Sequence, residues 1–183
     1  RKLTIELGKI TDHNSPEALE LYHTVGMGAL KYYLLKVDPE KRMLFNPNES
    51  IDFNGNTGPF IQYTYARIRS VLRKAQTLPQ LSNYEGFAAA GYASINPKER
   101  ELVKMLLRFP DVADEAAQRL SPAVVANYVY DLAKSYNQFY HEHPILDTEL
   151  PEVSQFRLRV SSLSADIIAI SMKLLGIAVP ERM

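Results

Sequence analysis

The sequence predicts an all-α fold, a bundle of about five to six antiparallel helices joined by short loops. Three observations carry this expectation. Apolar residues recur at helical spacing over most of the chain, and no alternating strand pattern follows residue 14. Proline recurs at positions where a helix can open, as in Ser15-Pro16, Asn96-Pro97 and Ser121-Pro122. Apolar residues make up 46% of the chain, enough for a real core and too many for disorder.

The elements follow in order. Residues 1–14 are short and mixed and read as a strand or an extended lead-in. Ser15-Pro16-Glu17 opens the first helix, with an N-cap, a proline at the first position and an acid at the positive end. Its apolar positions are Leu19, Tyr22, Val25 (or Gly26), Ala29, Tyr33 and Val37. Gly26 and Gly28 each weaken it by roughly 1 kcal/mol relative to alanine, which implies close packing or a kink. Asp38-Pro39 ends it. Residues 38–58 form a long polar connection rich in Pro, Gly and Asn, and a connection of that length is often functional.

A second helix is predicted from Pro59 to Ala75. Residues 76–96 are mixed, with FAAAG as a helical turn. Asn96-Pro97-Lys98-Glu99 has the form of a capping box and opens a helix reaching Phe109. Pro110-Asp111 starts a shorter helix to Leu120, and Ser121-Pro122 a long one to Glu142, stopped by His143-Pro144. A linker leads to a last helix from Pro151 to Leu175, with Gly176 as its C-terminal cap. Two segments are expected: a lead-in, helix and loop over 1–57, and a helical domain over 58–183.

Composition narrows the chemistry. There is no cysteine, so disulfides, thiolate metal sites and cysteine nucleophiles are excluded. That fits a reducing compartment, and a cytoplasmic location is expected. No apolar run reaches the roughly 18 residues of a membrane span, and no signal peptide is visible. The chain begins with Arg1, which fits a piece of something longer. Basic and acidic residues balance at 21 each, so any nucleic-acid binding must come from local patterning. His141 and His143 stand two apart, about 200° around a helix, and so do not form a ligand pair. Neither GxGxxG, a P-loop nor a nucleophile elbow occurs. A binding module is the better class.

One stretch is unusual. From Phe53 to Tyr84 there are four basic residues (Arg67, Arg69, Arg73, Lys74) and no acid. In the helix it contains, Ile61, Tyr65, Ile68 and Leu72 form one apolar face. Tyr63, Arg67, Ser70 and Lys74 have the same spacing on the opposite side. A ring, a guanidinium and an ammonium on an acid-free face suit unstacked bases and phosphates. The pattern alone also fits a solvated basic face. The loop Gly55-Asn56-Thr57-Gly58 before it reads as a turn that positions Pro59 or as an anion site at the helix N-terminus, and its glycines would let backbone approach RNA. In the long helix, Val125, Tyr128 (or Val129), Leu132, Tyr136 and Phe139 make a core stripe. Tyr140 lies on its last turn, where a ring can leave the core.

These segments resemble a known family. FNGNTGPFIQYTYARIRSVLRKA is similar to the segment joining the catalytic and anticodon-binding domains of arginyl-tRNA synthetases. VGMGALKYYLL, the stretch from ERELVKMLLRFP to FYHEHPIL, and SMKLLGIAVPERM resemble the rest of that C-terminal region in order. Such enzymes are class I synthetases that use ATP, arginine and Mg²⁺, with HIGH and KMSKS-type signatures. Neither signature occurs here, so the resemblance implies no aminoacylation by this chain alone and no cofactor of its own. It implies the anticodon arm of arginine tRNA and the enzyme's own catalytic domain as partners, with no DNA or membrane. Tyr63, Arg67 and Tyr140 match residues of the anticodon pocket. The loop Asp52–Thr57, with Gly55 and Asn56, matches one that packs near the anticodon arm. Met183 matches a terminal residue that closes on the pocket. Arg73 and Lys74 are expected to contact backbone; Asn127 and Gln138 are candidate polar supports for bases, which the resemblance does not assign. Phe60-Ile61 and Thr64-Tyr65 depart from the commoner Tyr-Leu and Ala-His. The alternative from the residues alone is a helical protein-interaction module without an RNA role.

Overall fold

A computed structural model describes residues 14–44, 46–82 and 95–183. The lead-in over 1–13 and the turn expected at FAAAG lie outside the described residues. Seven helices are present among the described residues: α1 (Pro16–Leu35), α2 (Pro47–Ser50), α3 (Gly58–Gln76), α4 (Pro97–Leu107), α5 (Phe109–Gln118), α6 (Pro122–Glu142) and α7 (Pro151–Leu174). The described residues are all-α, as expected. The extra element is the one-turn α2, set inside the predicted loop and capped by Asn46.

The helix starts follow the sequence signals closely. Ser15 Oγ accepts from the Ala18 N–H, and Thr57 Oγ1 from that of Phe60. Asn96 and Glu99 form the predicted capping box. At the end of α7, Gly176 has φ +67. The Ile177 N–H reaches the Met172 carbonyl at 2.9 Å and the Gly176 N–H that of Lys173 at 2.9 Å. This paired pattern closes the helix and needs the left-handed residue that glycine supplies. Glu99, fully buried, also meets Arg157 of α7 at 2.7 Å, tying α4 to α7.

The first helix keeps its predicted stripe only in part, at Val25, Ala29 and Tyr33. Leu19 is 52% exposed, and the buried face is Ala18, Val25, Gly28, Ala29, Tyr32 and Tyr33. Apolar residues surround this helix, so period alone does not select the face. Packing selects it at Gly28. A Cβ there would lie 2.5 Å from the Gln62 side chain, and one on Gly58 would lie 2.4 Å from the Gly28 carbonyl oxygen. Close packing is therefore the reason for Gly28. Gly26 has open space around it and no such role.

Helix α3 is the hub, in contact with α1, α6 and α7. Ile61, Tyr65, Ile68 and Leu72 all face inward, as predicted. So do Gln62, Thr64 and Ala66, which makes the buried side wider than the stripe. The α6 stripe is buried from Val125 to Phe139. After α7 the chain turns back along α1 and α3. Gln62 Nε2 donates to the Ala178 carbonyl at 2.7 Å, and Lys31 Nζ to that of Gly176 at 2.6 Å. No helix among the described residues is long and apolar enough to cross a membrane.

Candidate nucleic-acid interface

Tyr63 and Arg67 stand one turn apart on α3, and Asn137 and Tyr140 one turn apart on α6. The two helices pack side by side, so these pairs face each other. The Arg67 guanidinium carbon lies 4.9 Å from the Tyr63 ring centroid and 5.2 Å from that of Tyr140. Both are cation–π distances. Arg67 Nη1 also donates to Asn137 Oδ1. Tyr140 is backed by Tyr136, with centroids 6.5 Å apart and ring planes at 26°. Tyr63 meets Phe53 of the preceding loop edge-on at 6.3 Å. A second small apolar cluster joins Val25, Ala66 and Met183, flanked by Leu21, Phe53 and Tyr63.

Together these groups border a cleft of about 520 Å³, lined by Tyr63, Arg67, Ser70, Val71 and Arg73 of α3, Tyr140 of α6, Leu21 of α1, and Arg182 and Met183 of the tail. It offers ring edges, a guanidinium held in place, a hydroxyl and an apolar floor. Such a surface can stack a planar ring and meet an anion.

Five of the predicted residues therefore converge: Tyr63, Arg67, Arg73, Tyr140 and Met183. Three do not line the cleft. Lys74 is exposed on the last turn of α3. Gly55 and Asn56 lie in the loop behind Phe53. Asn56 is engaged by the fold: Tyr32 Oη lies 2.7 Å from its side-chain oxygen, and Lys36 Nζ donates to its carbonyl at 2.9 Å. The suggested polar supports also sit elsewhere. Asn127 Nδ2 donates to the Ala123 carbonyl at 2.8 Å, and Gln138 accepts from Lys98 at 3.4 Å. The amide that reaches the site is Asn137. Its signal was its place one turn before Tyr140. Arg182 was also missed, although it neighbours Met183 in the sequence.

The acid-free helix does meet an acid, brought by the tail. Arg69 Nε donates to Glu181 at 2.8 Å, and Arg73 Nη1 lies 3.6 Å from the same carboxylate. Tyr65 Oη donates to its other oxygen at 2.8 Å. Burial pushes the Glu181 carboxyl up. The hydrogen bonds from Arg69 and Tyr65 and the charges of Arg69 and Arg73 outweigh it and hold the carboxyl below its ordinary value. Burial first, then the Glu181 contact, pushes the Tyr65 hydroxyl up to about 12. The Glu181 hydrogen bond raises Arg69 in turn. No carboxylate pairs with Arg67, Lys74 or Arg182 among the described residues.

His141 sits edge-on to Tyr140 at 5.7 Å, and His143 caps α6 beside Phe139. Among the described residues no three His, Asp or Glu side chains are grouped to hold a metal.

Comparison with known proteins places the chain in a family. Residues 61–183 match the DALR anticodon binding domain. The arginine–tRNA ligase of Parabacteroides distasonis is 53% identical over 187 residues, covering 100% of this chain and 30% of the relative. Among solved structures, Thermus thermophilus arginyl-tRNA synthetase is similar with a TM-score of 0.81 and 30% identity, over 97% of this chain and 30% of that one. That of Plasmodium falciparum has a TM-score of 0.84 and 26% identity, over 100% of this chain and 31% of that one. The chain thus spans about 30% of the length of the curated relatives it matches. It belongs to the DALR anticodon-binding domain family, in the form found in arginyl-tRNA synthetases.

Proposed function

We infer that this chain binds the anticodon stem-loop of arginine tRNA, as the anticodon-binding part of a ligase that joins arginine to its tRNA with ATP and Mg²⁺. The catalytic signatures are absent from this sequence, so the chain's own work is docking. The observation that carries the reading is the Arg67 guanidinium between the rings of Tyr63 and Tyr140, with no carboxylate on it, at the rim of a cleft.

The roles follow from chemistry. Unstacked bases lie on the exposed parts of Tyr63 and Tyr140, where stacking contributes about 1–3 kcal/mol per base. Arg67 meets a phosphate or a base edge. Arg182 and Lys74 add positive charge for the backbone, and Arg73 shares its charge with Glu181. Met183 supplies apolar floor. The loop at Gly55 and Asn56 lies close to the RNA through Phe53 and Tyr63. Residues 58–183 form the RNA-binding unit, with 1–57 leading into it from the catalytic domain.

Filter binding of an arginine-tRNA anticodon stem-loop tests this. Affinity falls steeply between 50 and 300 mM salt (roughly the range in which counterion release acts strongly). Arg67→Ala weakens binding with helix content unchanged. A flat salt response, or wild-type affinity in Arg67→Ala, removes the RNA face. Retention of a protein partner in place of the stem-loop would favour an interaction module.

A further inference from the structure

Arg67 is held by an amide, and that amide can point only one way. Asn137 Nδ2 donates to Thr64 Oγ1 at 2.7 Å and to the Ala133 carbonyl at 3.0 Å. Thr64 Oγ1 gives its own proton to the Phe60 carbonyl at 2.8 Å, so toward Asn137 it can only accept. Two acceptors on one side draw the amide nitrogen, which leaves Oδ1 for Arg67. From the other end the answer is the same, because a guanidinium has donors only. Both anchors are rigid. Thr64 is fully buried on α3, and the Ala133 carbonyl is part of the α6 backbone.

We propose that Asn137 is a positioning residue for RNA recognition, setting the Arg67 guanidinium between Tyr63 and Tyr140 while leaving its charge uncancelled for an RNA phosphate or base edge. The proposal rests on the stem-loop reading above. A carboxylate in the same place would pair with the guanidinium and neutralise it, and would lose the N–H bonds to Thr64 Oγ1 and the Ala133 carbonyl. A methyl group would leave the charge and lose the hold. Asn137 keeps both the hold and the charge. Thr64 acts one step further back, fixing the amide that fixes the guanidinium.

The two faults leave different marks, so they can be separated. Stem-loop affinity is measured across salt for wild type, Asn137→Asp, Asn137→Ala and Thr64→Val, beside the NMR signals of the Arg67 guanidinium. Asn137→Asp weakens binding roughly tenfold, as for loss of one charged hydrogen bond. It also lowers the steepness of the log–log salt dependence by about 0.7, one phosphate's worth on single-stranded RNA. Asn137→Ala weakens binding with the salt dependence kept and lets the Arg67 signals average. Thr64→Val keeps the shape of the side chain and gives a smaller change of the same kind. Failure of the wild-type chain to bind sinks the stem-loop reading itself. Wild-type binding with an unaltered affinity and salt slope in Asn137→Asp overturns the role of Asn137 and leaves that reading standing. If Asn137→Asp does not fold, the other two variants decide, and unchanged affinity and Arg67 signals in both overturn it.

Discussion

Two sets of arginines leave the same helix and meet opposite surroundings. On the α6 side of α3, Arg67 has two rings and a neutral amide. On the tail side, Arg69 and Arg73 share the carboxylate of Glu181. In sequence all three belong to one acid-free run. In space only the first keeps its full charge for a ligand. The second set does architectural work by holding residues 178–183 against α3, which places Arg182 and Met183 at the cleft. What decides whether a cation recognises or builds is the charge of its partner, and that partner is remote in the chain.

The largest expected effect tests whether the two sides are separately supported. Met183 packs on Val25 of α1, whereas Arg67 depends on α6. Gly58→Ala would place a methyl 2.4 Å from the Gly28 carbonyl oxygen, a backbone atom that cannot rotate away. The expected cost is about 2–3 kcal/mol, the size of an overpacking strain, read as a lower Tm. Within the folded population the Met183 methyl signal shifts and the Arg67 guanidinium signals do not. Equal disturbance of both would show that the two sides move as one.

Next in size is the contrast between Arg67→Ala and Arg69→Ala. The first removes an uncancelled charge and the group between the rings, and stem-loop affinity drops about thirtyfold, or about 2 kcal/mol. The second removes a charge already paired at 2.8 Å while Arg73 still holds Glu181 and the tail, and affinity stays within about twofold. Equal losses in binding titrations would mean that net charge, not partner identity, governs the interface.

Sequence showed one side of this contrast better than the other. Proline and cap residues located the helix starts, and the two-residue offset between Ile61 and Tyr63 separated the buried stripe from the polar one. Those are local properties of a helix. Asn137 was passed over for Asn127 and Gln138 because choosing among amides on α6 requires knowing which side faces α3. Glu181 was invisible for a stronger reason: it lies 112 positions beyond Arg69. An acid-free window says nothing of acids that folding brings to it. Lys74 fell on the predicted stripe, yet in that last turn it is Arg73 that lines the cleft. The stripe of α1 was right at Val25, Ala29 and Tyr33 and wrong at Leu19, because apolar residues surround that helix and the close approach at Gly28 helps select its buried face.

The smallest effect concerns Glu181 and pH. Its carboxyl is held below the ordinary value of about 4.3. A depressed carboxylate contributes stability that is present above the unfolded value and is lost as pH falls through the folded one. The tail therefore loosens only as pH falls below the ordinary carboxyl range, and neutral conditions leave it in place. The side chains of Arg69 and Glu181 are 37% and 55% exposed, so the pair contributes at most about 1 kcal/mol. Global unfolding would hide so small a change, whereas the Met183 methyl signal, beside Tyr63 and Phe53, reports it locally. Glu181→Gln should give at neutral pH the loosened signal that wild type reaches only in acid, with no further acid-driven movement of its own. It should also steepen the salt dependence of stem-loop binding, because Arg69 and Arg73 are then free to meet phosphate. A Met183 signal that titrates identically in both proteins would assign the acid transition to another carboxylate. Glu181 would then hold the tail without sensing pH.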